Sequence, residues 1–119
     1  MPWQRHESLF NQQKINMYRL VYLSGQITGL HPEEAAKRFA TAEDEFDWDT
    51  CTVVNPMRLV TMLERQAGRR LSEAEILIKE LEIVAICDEI AMLPGWEKSE
   101  GATAEHAIAR KAGVKVTYL

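Results

Sequence analysis

Glu105 is the residue whose setting most suggests chemistry. It closes the run Ser99-Glu100-Gly101-Ala102-Thr103-Ala104-Glu105, which reads as the opening of a helix after a strand and a Pro94-Gly95-Trp96 loop. A carboxylate about one turn into such a helix faces the positive end of the macrodipole, stays ionised and is available as a nucleophile or an acceptor. A solvated glutamate that only stabilises its helix occupies the same kind of position. Around it, other strand ends supply polar groups: Ser24, Gly25, Gln26 and Thr28 after a first strand, Asn55 after a second, and Gly95, Trp96, Glu97, Lys98 and Ser99 after a third. Gly25 and Gly29 serve either a turn that needs positive φ or a close approach of backbone N–H groups to a ligand oxygen. The Trp96 indole can stack on a flat ligand ring or pack on a neighbouring helix. Asp88 stands on the amino side of the third strand, where capping and turn roles compete with a role as an acid.

Several patterns are missing. There is no GxGxxG and no GxxxxGK[ST], so neither a dinucleotide fingerprint nor a P-loop is indicated. His6, His31 and His106 share no motif spacing, and Arg65, Arg69 and Arg70 read as a solvated cluster near a helix end or a phosphate contact. Cys51 and Cys87 fall outside any CxxC or Cys/His metal spacing and read as small buried hydrophobes. No metal and no cofactor is expected.

The elements that must hold these residues are legible from pattern. Tyr18 to Ser24 is an apolar strand, and Pro32, with Glu33 and Glu34 in the first turn, opens a helix whose stripe is Ala35, Phe39, Ala42 and Phe46. Cys51 to Asn55 is a second strand, and Met57 to Gln66 a short helix closed by Gly68. Ser72-Glu73-Ala74-Glu75 fits a capping box flanked by a Leu71/Ile76 staple, so a helix starts at Ser72 and runs to about Ile86. Asp88 to Leu93 is a third strand, Gly101 to Ala112 a helix stopped by Gly113, and Val114 to Tyr118 a fourth strand. Short apolar strands alternating with helices predict an α/β, three-layer flavodoxin-like fold with a small parallel sheet of about four strands. In such sheets ligands bind outside the carboxyl ends of the strands, where the polar groups above collect.

Composition sets the outer bounds. The 119 residues are 46% hydrophobic, 27% charged and 8% aromatic, which suits one domain with one core. Residues 1–16 are polar and aperiodic and read as an extension with nothing to order it, or as sequence ahead of the native start, leaving 17–119 as the domain. A net charge of −4 opposes attraction to a nucleic-acid polymer or an anionic membrane. No apolar run reaches the length of a membrane span and no secretory h-region opens the chain, so a cytoplasmic location is expected.

Four blocks in order carry a resemblance: Tyr22-Leu23-Ser24-Gly25-Gln26-Ile27-Thr28-Gly29, Val54-Asn55-Pro56, Cys87 to Trp96, and Ser99 to Ala109. Together they resemble the nucleoside 2-deoxyribosyltransferase superfamily, most nearly its DUF4406 branch, over Met17 to Leu119. The resemblance implies cleavage or transfer at the N-glycosidic bond of a 2′-deoxynucleoside or its monophosphate. By that carry-over Glu105 is the nucleophile, Tyr22 orients it, and Ser24, Gly25, Asn55, Gly95, Trp96, Ser99 and Gly101 line the substrate. Asp88 matches the acid near the third strand in many members; Ser99 stands where active transferases usually place an aspartate, which removes the expected proton donor and leaves Glu97, Glu100 or a group from a neighbouring subunit as the candidate acids in its place. The alternative is a noncatalytic nucleotide-binding module of the same fold. The expected partners are a small nucleoside or nucleotide and further copies of the chain in a homo-oligomer.

Overall fold

The computed structural model describes residues 18–119, so the polar extension at 1–16 lies outside the described residues. Four strands, β1 (Arg19–Ser24), β2 (Cys51–Val54), β3 (Glu89–Met92) and β4 (Lys115–Tyr118), form one sheet in the order β2-β1-β3-β4. Every pairing is parallel. Four helices connect them: α1 (Pro32–Glu43), α2 (Pro56–Ala67), α3 (Glu73–Ile86) and α4 (Glu100–Ala112), with a short 3-10 turn at Trp96–Lys98.

This order dictates the layers. The chain steps from β1 to β2 in one direction, then returns past β1 to β3 and on to β4. Right-handed crossovers then place α1 on one face and the later helices on the other. The two cores follow. Val21, Leu23, Ala91 and Leu93 meet Phe39 and Ala42 of α1, while Tyr22, Ile90 and Met92 meet Val84 of α3 and Ala102 and Ala109 of α4. The protein is thus a three-layer, flavodoxin-like α/β fold whose direction reverses between β1 and β3, the position at which such sheets bind ligands.

The local signals explain the element ends. The hydroxyl of Ser72 accepts from Glu75 N–H, and the Glu75 carboxylate accepts from Ser72 N–H, completing the expected capping box. Gly68 and Gly113 end α2 and α4 in the left-handed region, at φ 70° and 75°. Phe46 falls beyond the end of α1 and still packs on the α1 core, so the helical spacing predicted its burial but overran the helix. Cys51 and Cys87 are buried free thiols, and burial pushes the Cys87 thiol up to about 11, which suits packing rather than reactivity.

Candidate active site

Paired residues of a parallel sheet point to the same face, and the row Ser24, Met92, Tyr118 runs across the carboxyl end of the sheet beneath α4. Two successive residues of α4 meet this row. Glu105 reaches inward to β1, where its Oε1 accepts from the Ser24 hydroxyl at 2.6 Å and its Oε2 from the Tyr22 hydroxyl at 2.8 Å. His106 reaches the edge, where its Nε2 lies 2.8 Å from the Tyr118 hydroxyl. Glu105 is only 5% exposed, and Tyr22 and Ser24 are fully buried.

A fourth group completes the cluster. Glu80, on α3, is 8% exposed and faces Tyr22 and Glu105. Sequence reasoning missed it, although the signal was there: Glu80 interrupts the apolar stripe formed by Ile76, Leu77, Ile83 and Val84, and an acid inside such a stripe must be paired when the helix packs. Burial pushes Glu80 up to about 8, and the neighbouring Glu105 charge adds to the rise. Burial also raises Glu105, while the hydroxyls of Ser24 and Tyr22 pull it back by donating to the ionised form. Tyr22 is raised by burial and by the Glu105 charge, so its proton stays on the phenol.

This changes the expected electrostatics of Glu105. The helix begins at Glu100, which puts Glu105 in its second turn, beyond the N-terminal amides. Two side-chain hydroxyls, rather than the macrodipole, therefore support its charge.

The remaining candidates divide into those with structural occupations and those outside the cluster. Gly25 is not in the positive-φ region; a Cβ there would lie 2.9 Å from Leu93 Cβ, so the glycine serves the close packing of the β1 and β3 ends. Gly29 is the member of that loop at positive φ, 91°. Asn55 caps α2 by accepting from Met57 N–H and donates to the buried Glu43 carboxylate, which Arg58 also pairs. Ser99 caps α4, its hydroxyl accepting from Ala102 N–H at 3.1 Å. Gly101, two residues later, has no close neighbour that a side chain would strike. Gly95 takes positive φ, 82°, to start the 3-10 turn. Trp96 stacks on His106, with ring centroids 4.3 Å apart, so its packing role is filled within the chain.

Of the candidate acids, Asp88 lies at the amino end of the sheet, where its carboxylate accepts from Leu20 N–H. That is the opposite end from Ser24 and Glu105. Glu97 and Glu100 are exposed in the 3-10 turn and the first turn of α4. A cavity of about 550 Å³ opens on the other face of the sheet, between Lys37, Arg38 and Thr41 of α1 and Leu93, Pro94 and Leu119, and does not include Glu105. Among the described residues no group of three or more His, Cys, Asp or Glu side chains is arranged to hold a metal ion, and no helix is long and apolar enough to cross a membrane.

A flavodoxin-like sheet with a hydroxyl-clamped carboxylate at its carboxyl edge is a small α/β domain built to place one acid beside the topological switch. Residues 19–118 match the family described as a domain of unknown function, DUF4406, and the chain belongs to that family. Comparison with curated proteins and with solved structures gave no significant match.

Proposed function

We propose that the protein is a nucleoside 2-deoxyribosyltransferase-like enzyme that cleaves or transfers at the N-glycosidic bond of a 2′-deoxynucleoside or its 5′-monophosphate. The observation that carries this reading is the Tyr22–Glu105–Ser24 clamp. Each Glu105 oxygen accepts one hydroxyl and keeps a further lone pair, so the carboxylate is oriented without being exhausted as a nucleophile. In the proposed step a Glu105 oxygen bonds to the anomeric carbon while the carbon–nitrogen bond breaks, its electron pair leaving with the base, which takes up a proton. The transition state is oxocarbenium-like, and the glycosyl ester is then opened by water or by a second base.

A second reading, a noncatalytic nucleotide-binding module, has its own support. Ser99 is committed to its cap, Glu97 and Glu100 stand in solvent outside the clamp, and Glu105 is almost covered. One experiment separates the two. Wild type and Glu105→Ala are incubated with a panel of deoxynucleosides and their 5′-monophosphates, and free base is followed by chromatography. Base release by wild type alone supports the enzyme. No release, with a ligand-dependent rise in melting temperature, supports the binding module.

A further inference from the structure

Among the described residues α1 is the one helix on its face of the sheet, and the cavity of about 550 Å³ opens along its flank, against the apolar wall of Leu93, Pro94 and Leu119. The helix side chains around this flank are sorted by sign. Lys37 and Arg38 lie one turn before Thr41; Asp44 caps α1 one turn after it, and Glu45 follows in a turn that continues the helix. All five are exposed. Arg38 pairs with Glu34 of its own helix at 2.8 Å, while Lys37, Asp44 and Glu45 belong to no ion pair among the described residues. Lys37 and Asp44 are seven residues apart, as are Arg38 and Glu45, so each basic residue has an acidic one two turns away on the same side of the helix. A small anion or cation entering the cavity would meet both signs at once. A helix running the opposite way with the same pattern meets its complement.

We propose that this flank of α1 is an interface with a second copy of the chain, packed antiparallel about a two-fold axis at Thr41. That axis sets Lys37 beside the second copy's Asp44 and Arg38 beside its Glu45, and each pair occurs twice because the contact is isologous. The guanidinium fork of Arg38 has donors enough for Glu34 and the incoming Glu45 together. Trp48, 66% exposed, lies just past the acidic end of α1. The same axis carries it to the basic end of the other copy's α1. That end leaves the carboxyl edge of the sheet, where Leu93, Pro94 and Leu119 wall the cavity. The indole is then the apolar anchor, which solvent-exposed ion pairs alone do not provide. The inference stands independently of the glycosidic reading.

The test is disulfide trapping and charge exchange on the full chain. Thr41 lies at the axis, so Thr41→Cys brings two thiols together under mild oxidation. It should cross-link at least about tenfold faster than Ala36→Cys, an exposed position on the other flank of α1. Wild type sets the background, its own thiols at Cys51 and Cys87 being buried. Equal rates for the two variants overturn the proposal. Lys37→Glu and Asp44→Lys should each raise the dissociation constant of the dimer, measured by sedimentation, by about tenfold, and the two together should restore the wild-type value. A double variant no tighter than the single ones overturns the pairing. If Thr41→Cys does not fold, this exchange alone decides. Wild type that sediments only as a single chain overturns the interface, and so does association that gives mass without the Thr41 cross-link.

Discussion

The two hydroxyls on Glu105 favour its anion, so deleting either should make that anion harder to form. A hydrogen bond to a charged group contributes about 1.5–3 kcal/mol and one pKa unit corresponds to about 1.4 kcal/mol. Tyr22→Phe and Ser24→Ala are each expected to raise Glu105 further, since burial then acts with one fewer hydroxyl to oppose it. Because the proposed reaction needs the ionised form, the acid limb of its pH–rate profile should move to higher pH in either variant. An unmoved limb would mean that the clamp orients Glu105 without tuning it. A different residue-scale constraint acts at Gly25, where a methyl group would meet Leu93 Cβ at 2.9 Å. Gly25→Ala should cost about 1–3 kcal/mol in urea unfolding by forcing the β1 and β3 ends apart. Substitution with no loss would show that this junction is slack.

At the scale of elements, Ser99 separates helix stability from chemistry. Its hydroxyl caps α4, so Ser99→Ala should lose about 1 kcal/mol of stability, and Ser99→Asp, an equally good cap, should lose almost none. Chemical denaturation of both variants tests this, and equal losses would show that the cap contributes nothing. The capping box at Ser72 was legible in the sequence because its partner Glu75 is three residues away, whereas the cap at Ser99 emerged only with the structure. The alternation of strands and helices was legible for the same reason, since periodicity is local. The site was legible in part, through the position of Glu105 after a strand end and the resemblance that pairs it with Tyr22. What was hidden depends on distant partners. Gly25 answers to Leu93, Asn55 to Glu43, and Ser24 meets Glu105 across 81 positions. Glu80 was the most informative omission, an acid on the inner stripe of α3 whose partners lie on two other elements.

For the whole molecule, α3 poses a problem of surface. Its inner side carries Glu80 and Val84, yet its outer side leaves Ile78 58% and Ile86 74% exposed, and Met62 of α2 is also exposed. Glu82 lies between the two isoleucines on that side, yet large apolar side chains left in solvent along one helix face suit a contact with another molecule. A further copy of the chain is the occupant we propose for this face. We therefore predict that light scattering gives a multiple of the chain mass, and that Ile78→Glu with Ile86→Glu lowers it toward the single chain. A wild-type mass equal to one chain would remove assembly from the account. The prediction extends inward, because the helix that would meet the second copy is the helix that presents Glu80. Freed of that contact, α3 should hold Glu80 less firmly against Tyr22 and Glu105. The double variant should then release base more slowly than wild type while keeping its far-ultraviolet circular dichroism. Dissociation with unchanged base release would show that each chain holds its own cluster, and would confine the apolar face to assembly.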